Sequence, residues 1–117
     1  MNEETPIILF GSQARGQARA DSDVDIGVLN EQDLTTEEKM AVYEKVAHEL
    51  NVSEDKIDLV ELRHASPLLQ YRASREGKLL FGDRQKFIRF QVLAWKRYLS
   101  TAKFRRMREQ SLAKKYA

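Results

Sequence analysis

The sequence predicts an α+β (α/β) domain: a small mixed β-sheet with helices packed on it. Three observations carry that expectation. Short apolar runs rich in Ile, Leu, Val and Phe alternate with longer amphipathic stretches. The runs stop at glycine or acidic turns, whereas the stretches open on Thr, Ser or Asp. The chain has 117 residues, 42% of them hydrophobic, with five Gly and two Pro. That suits one ordinary core and excludes a disordered or collagen-like chain.

The first element is Pro6–Phe10, a buried strand closed by Gly11-Ser12. Residues 12–19 are small and polar and read as a turn with one helical turn at most. Val24–Leu29 follows as a strand, with Val24, Ile26 and Val28 on one face. Thr35-Thr36-Glu37-Glu38 has capping-box spacing. It opens a helix whose stripe is Met40, Tyr43, Val46, Ala47 and Leu50. Ile57–Leu62 is the third strand. Ser66-Pro67 supplies a cap and a first-turn proline for a second helix, which Gly77 is placed to end at Arg75–Glu76. Lys78–Phe81 is a short strand. Asp83 then caps a long helix with two apolar stripes. Ile88, Val92, Trp95 and Leu99 are assigned to the core, and Phe87, Phe90, Ala94 and Tyr98 to a partner.

The whole of 1–117 reads as one domain, with 83–117 a basic C-terminal helical segment. Charge is divided unevenly along it. Residues 1–82 carry 9 Lys/Arg against 16 Asp/Glu, and residues 83–117 carry 11 against 2. The basic segment suits an acidic protein face, a nucleotide or RNA, or is simply a solvated helix face. No apolar run approaches ~20 residues, and the short acidic N-terminus does not read as a signal peptide. The chain has no cysteine, which excludes disulfide scaffolds, thiolate zinc sites and cysteine nucleophiles and fits a cytoplasmic protein.

The chemistry is concentrated in Gly11-Ser12 and, ten residues later, Asp23-Val24-Asp25. On a strand, Asp23 and Asp25 point to the same side, roughly 6–7 Å apart. Two carboxylates so placed repel unless a cation lies between them, and Mg²⁺ takes oxygen donors of this kind. Asp58 is the third candidate, a lone charge in the apolar run Ile57–Leu62 that is costly to bury without a partner. It reaches the same pocket if the third strand lies beside the second. Gly11 and Ser12 offer a close backbone approach and a hydroxyl to phosphate oxygens, and Arg15 and Arg19 could add positive charge. Each feature alone also has a plain structural reading: a turn, an acidic loop, an edge-strand residue, solvated arginines. The joint spacing favours three carboxylates serving a phosphoryl transfer.

Residues 11–25 (GSQARGQARADSDVD), with Asp58–Leu62 and Leu68–Phe81, resemble the minimal nucleotidyltransferases (MNT) of the DNA polymerase β superfamily. Within it they are most similar to the adenylyltransferase antitoxins encoded beside HEPN-domain toxins. The resemblance implies a polymerase-β-type fold and an ATP-dependent transfer of AMP, releasing pyrophosphate, to a tyrosine hydroxyl of the HEPN RNase toxin. It implies catalytic Mg²⁺, two ions, on Asp23 and Asp25, with Asp58 the third carboxylate for metal binding or hydroxyl activation. Gly11 and Ser12 would hold the triphosphate. The family commonly carries a helix before the first strand, whereas five residues precede Pro6 here. The C-terminal helix or another chain is therefore expected to cover part of the sheet. The alternative reading is a non-catalytic antitoxin that binds and occludes the toxin. Transfer to an antibiotic or an RNA end is disfavoured because no added domain is there to bind either.

His48 and His64 lack ligand spacing, and His48 reads as a surface residue. His64, after the third strand, could approach the nucleotide. Ser and Thr show no Ser-His-Asp spacing, and no Gly-x-x-x-x-Gly-Lys-Ser/Thr loop occurs. No nucleic-acid motif accompanies the basic segment, so direct RNA binding is not expected.

Overall fold

The computed structural model describes residues 1–11, 14, 16 and 23–116, with Arg105 and residues 112–116 described by backbone alone. The elements are β1 (Ile7–Phe10), β2 (Val24–Val28), α1 (Thr36–Leu50), β3 (Ile57–Glu61), α2 (Pro67–Glu76), β4 (Lys78–Phe81) and α3 (Arg84–Tyr116). Short 3-10 turns at Glu54–Lys56 and Leu62–His64 bracket β3. The sheet runs in the order β3-β2-β1-β4. β1 pairs antiparallel with both β2 and β4, and β2 pairs parallel with β3.

Strand alternation divides the apolar residues into two cores, one on each sheet face. Ile7, Val24, Ile26, Val28 and Ile57 pack beneath α1 with Val42 and Val46. Ile8, Phe10 and Leu62 pack beneath α2 and the start of α3, with Ala73 and Phe87. A mixed sheet covered on both faces is what β2-α1-β3 dictates, since two neighbouring parallel strands require a crossover between them.

The local end signals hold. The Thr35 hydroxyl accepts from the Glu38 amide while Glu38 returns a bond to the Thr35 amide, a reciprocal capping box. The Ser66 hydroxyl accepts from the Leu69 amide, with Pro67 in the first turn. Asp83 accepts from the Lys86 amide at 3.1 Å. Gly77 ends α2 as anticipated, without entering the left-handed region. Its φ is −67°, an ordinary value, but an added Cβ would lie 2.3 Å from the Ala73 carbonyl oxygen.

Two stripe assignments are corrected. On α1, Met40 is exposed and Val42 is fully buried, so the inward face is turned toward Val42 and Val46. On α3 the two stripes exchange roles. Ile88, Val92, Trp95 and Leu99 are each 44–55% exposed, whereas Phe87 and Ala94 are buried and Phe90 and Tyr98 half-buried. Tyr98 stacks on Tyr71 of α2 with ring centroids 4.0 Å apart, and α2 is the element along which α3 lies. Either stripe satisfies helical periodicity, and contact with α2 selects between them.

Leu62→Ala removes a fully buried side chain under the sheet and is expected to lower unfolding free energy by about 2–5 kcal/mol. Met40→Ala should change it by less than ~0.5 kcal/mol. Urea unfolding of both variants checks which face of each element is the inner one.

Candidate active site

Asp25 is the second residue of β2 and faces α2, opposite the Val24–Ile26–Val28 side. Parallel pairing sets Asp58 of β3 directly across from it as its register partner. The two carboxylates open into a cleft of about 350 Å³ whose polar lining also includes Gly11, Arg72 and Glu76. The cleft therefore lies where β1 ends and β2 and β3 begin, roofed by the last turns of α2.

Gly11 terminates β1 at φ +78°, in the left-handed region, and its Cα is packed against Asp25. A Cβ there would fall 2.1 Å from Asp25 Oδ2. On its other side, the Gly11 amide donates to Glu76 Oε2 at 3.2 Å. Glu76 is the last residue of α2, an end where the helix dipole disfavours a carboxylate. The bond to Gly11 is a contact that offsets that disadvantage. The backbone at the end of β1 is thus held from both sides by acidic side chains.

Asp58 differs from its anticipated setting. β3 is an edge strand and Asp58 is exposed, so burial does not force a partner on it. What associates it with Asp25 is strand register. Asp23, immediately before β2, is exposed and is not among the residues lining the cleft. Ser12, Arg15 and Arg19 lie outside the described residues. Among the described residues, no three His, Asp or Glu side chains stand close enough to form a ready-made metal cage.

Arg72 and Glu76 escaped sequence reasoning. They are four apart on α2 and share one helix face with Leu69, which also lines the cleft. That spacing was readable, but nothing local says which face of α2 looks at Asp25. Arg72 brings a guanidinium to a cleft that otherwise presents the carboxylates Asp25, Asp58 and Glu76.

His64 does not approach this cleft. It sits past the other end of β3 and bonds the Asp33 carboxylate, while His48 is exposed on α1. The His64 hydrogen bond, aided by the charges of His64, Arg63 and Lys39, holds the Asp33 carboxyl below its ordinary value. Any stability this pair contributes is present above the ordinary carboxylate range and lost as pH falls through the lowered value.

Residues 3–86 match the family described as polymerase beta, nucleotidyltransferase. The protein adenylyltransferase MntA of Aphanizomenon flos-aquae is 35% identical, over 73% of this chain and 62% of its own length. That of Shewanella oneidensis is 37% identical, over 68% of this chain and 55% of its own. The chain therefore spans between half and two thirds of the curated relatives it matches. A solved toxin–antitoxin complex with AMP-PNP contains a chain that superposes with a TM-score of 0.72 at 29% identity, covering 97% of this chain and 89% of that one. A chain from the complex of a tri-AMPylated Shewanella oneidensis HEPN toxin with its MNT antitoxin gives 0.65 at 27%, covering 97% and 86%.

Gly11→Ala should lower the melting temperature by several degrees, since the Cβ meets Asp25 and the backbone is strained. In an NMR titration, His64→Ala should return the Asp33 carboxyl toward the ordinary carboxylate range. An unmoved Asp33 titration would remove His64 as its cause.

Proposed function

The chain belongs to the polymerase beta nucleotidyltransferase family, and from that premise we propose that it is a protein adenylyltransferase antitoxin. It moves AMP from ATP to a tyrosine hydroxyl of a cognate HEPN-family RNase toxin and so neutralises it, in the cytoplasm. The observation that carries this reading is the Asp25–Asp58 pair, opposed across two parallel strands at a cleft that also holds Gly11 and Arg72.

Mg²⁺ takes oxygen donors, often one or two carboxylates completed by phosphates and waters. Asp25 and Asp58 fit that donor set without a closed protein cage, and Asp23 is the third residue assigned to it. When bound, the metal neutralises triphosphate charge and eases ionisation of the acceptor hydroxyl.

The protein's own groups do the rest. Arg72 offers a fixed cation to phosphate oxygens in the cleft. Gly11, Ser12, Arg15 and Arg19 are assigned to the triphosphate, and Glu76 holds the Gly11 amide in place. Asp58 is assigned to accept the proton as the acceptor oxygen attacks the α-phosphorus in line. The bond to the β-phosphate oxygen breaks, and pyrophosphate leaves along the turn.

The alternative reading is an antitoxin that works by binding and occlusion. Intact mass spectrometry of the toxin, incubated with this protein, ATP and Mg²⁺, separates the two. Mass gained in steps of one AMP is expected for wild type. Asp25→Asn should transfer at less than about one-hundredth of that rate with an unchanged fold, and Arg72→Ala should lower transfer on the order of tenfold. Neutralisation by Asp25→Asn without mass gain would instead establish occlusion.

A further inference from the structure

We propose that the groove between the first half of α3 and the far end of the sheet is a docking site for an acidic, apolar-anchored segment of the acceptor protein. This rests on the acceptor being the HEPN toxin, as read above. The groove is a cleft of about 230 Å³, distinct from the catalytic one. Pro6 precedes β1, Asn30 follows β2 and Arg63 follows β3, so it opens at the opposite end of the strands. From Asp25 to Asn30 the extended chain covers ~16 Å.

One side of the groove is a single face of α3. Lys86, Arg89, Phe90, Leu93 and Arg97 recur at helical spacing and all line it. Phe90, Leu93 and Leu29 are the accessible apolar part of the lining, alongside the cations Arg63, Lys86, Arg89 and Arg97. Two of those cations carry uncompensated charge. Arg97 donates to Gln70 Oε1 at 3.2 Å, a neutral partner, and Arg89 has no acidic partner among the described residues. Lys86 is paired with Glu4 at 3.1 Å and Arg63 with Asp33 at 3.6 Å. Glu31 is the acidic residue of the lining.

The site is built rather than incidental. Gln70 is 5% exposed, and its other amide atom is committed to the Leu62 carbonyl at 2.8 Å. A buried, doubly bonded glutamine therefore fixes where Arg97 stands. Asn30 is 7% exposed, and its Nδ2 serves Glu61 and the Gln32 carbonyl. Its Oδ1 is buried with no donor among the described residues. A lost acceptor bond of this kind is unfavourable in a finished interior.

The chemistry selects the occupant. Two unneutralised guanidiniums eight residues apart on a helix, with Leu93 between them, suit carboxylates flanking an apolar side chain. Single-stranded RNA would need stacking platforms, and among the described residues Phe90 is the sole aromatic of the lining. The groove would hold the acceptor by one end while its hydroxyl reaches the cleft at the other.

The test is calorimetric titration of purified cognate toxin into the full chain without ATP, followed by AMP transfer on the same samples. Arg89→Glu/Arg97→Glu should weaken binding on the order of tenfold, raise the KM for toxin in proportion and leave kcat unchanged. Leu93→Asp, at a half-exposed position, should do the same. Arg84→Glu/Arg106→Glu, equal in charge but on the opposite face of α3 and exposed, should leave binding as in wild type. An unchanged Kd in the first pair, or an equal loss in the second, overturns the groove. So does self-association that the first pair abolishes, which would seat a second copy, or groove-dependent retention of oligouridylate, which would seat RNA. Groove-dependent binding without AMP transfer by wild type would overturn the enzymatic reading and leave the docking site standing.

Discussion

The parallel pairing of β2 with β3 is the constraint on which the rest depends. Its register matches Val24 with Ile57, Ile26 with Leu59 and Asp25 with Asp58. Because side chains alternate, one slip of a residue would send the apolar set of a strand to the wrong face and separate the two carboxylates. The same pairing requires a crossover, and α1 is that crossover, covering the face that Val24, Ile26 and Val28 present. The register is held at its far end by Glu61, which accepts from the Asn30 side chain at 2.9 Å and the Leu34 amide at 2.8 Å. Core packing and candidate site geometry are therefore two consequences of one alignment.

The sheet's ends serve different purposes. At one, β1 stops at a glycine whose backbone is gripped between Asp25 and Glu76, leaving carboxylates and Arg72 around an open cleft. At the other, the chain turns among cations supplied by α3 and the segment after β3. This gives the charge division of the sequence a spatial meaning. The acidic 1–82 half supplies the cleft, and the basic 83–117 half supplies one wall of a groove away from it. Opposite fields at two ends of a small domain can orient an incoming partner before contact.

The long helix shows where a pattern underdetermines its outcome. Both α3 stripes are apolar at helical spacing, so periodicity alone cannot rank them. Burial of Phe87 under Ile8 and Phe10, and the Tyr98–Tyr71 stack, place one stripe inward and turn Trp95 and its neighbours outward. The choice belongs to α2, an element distant in sequence, whose own facing depends on the sheet. Met40 and Val42 repeat the lesson on α1 at smaller scale.

Local chemistry written into the chain determined the element boundaries. Thr35 with Glu38, Ser66 with Pro67, and Asp83 each satisfy helix amides within a few residues, so their effect is legible without tertiary contacts. The family signature was legible too, because a glycine-serine turn and an Asp-x-Asp strand at fixed spacing are short-range features. Only the tertiary structure decided that Asp58 is exposed on an edge yet opposite Asp25, that Arg72 and Glu76 join the cleft, and which α3 stripe is covered. Those outcomes rest on pairings between residues tens of positions apart. A side chain's surroundings there are set by register and by the face a neighbouring element presents, neither of which is encoded in the residue's own stretch of sequence.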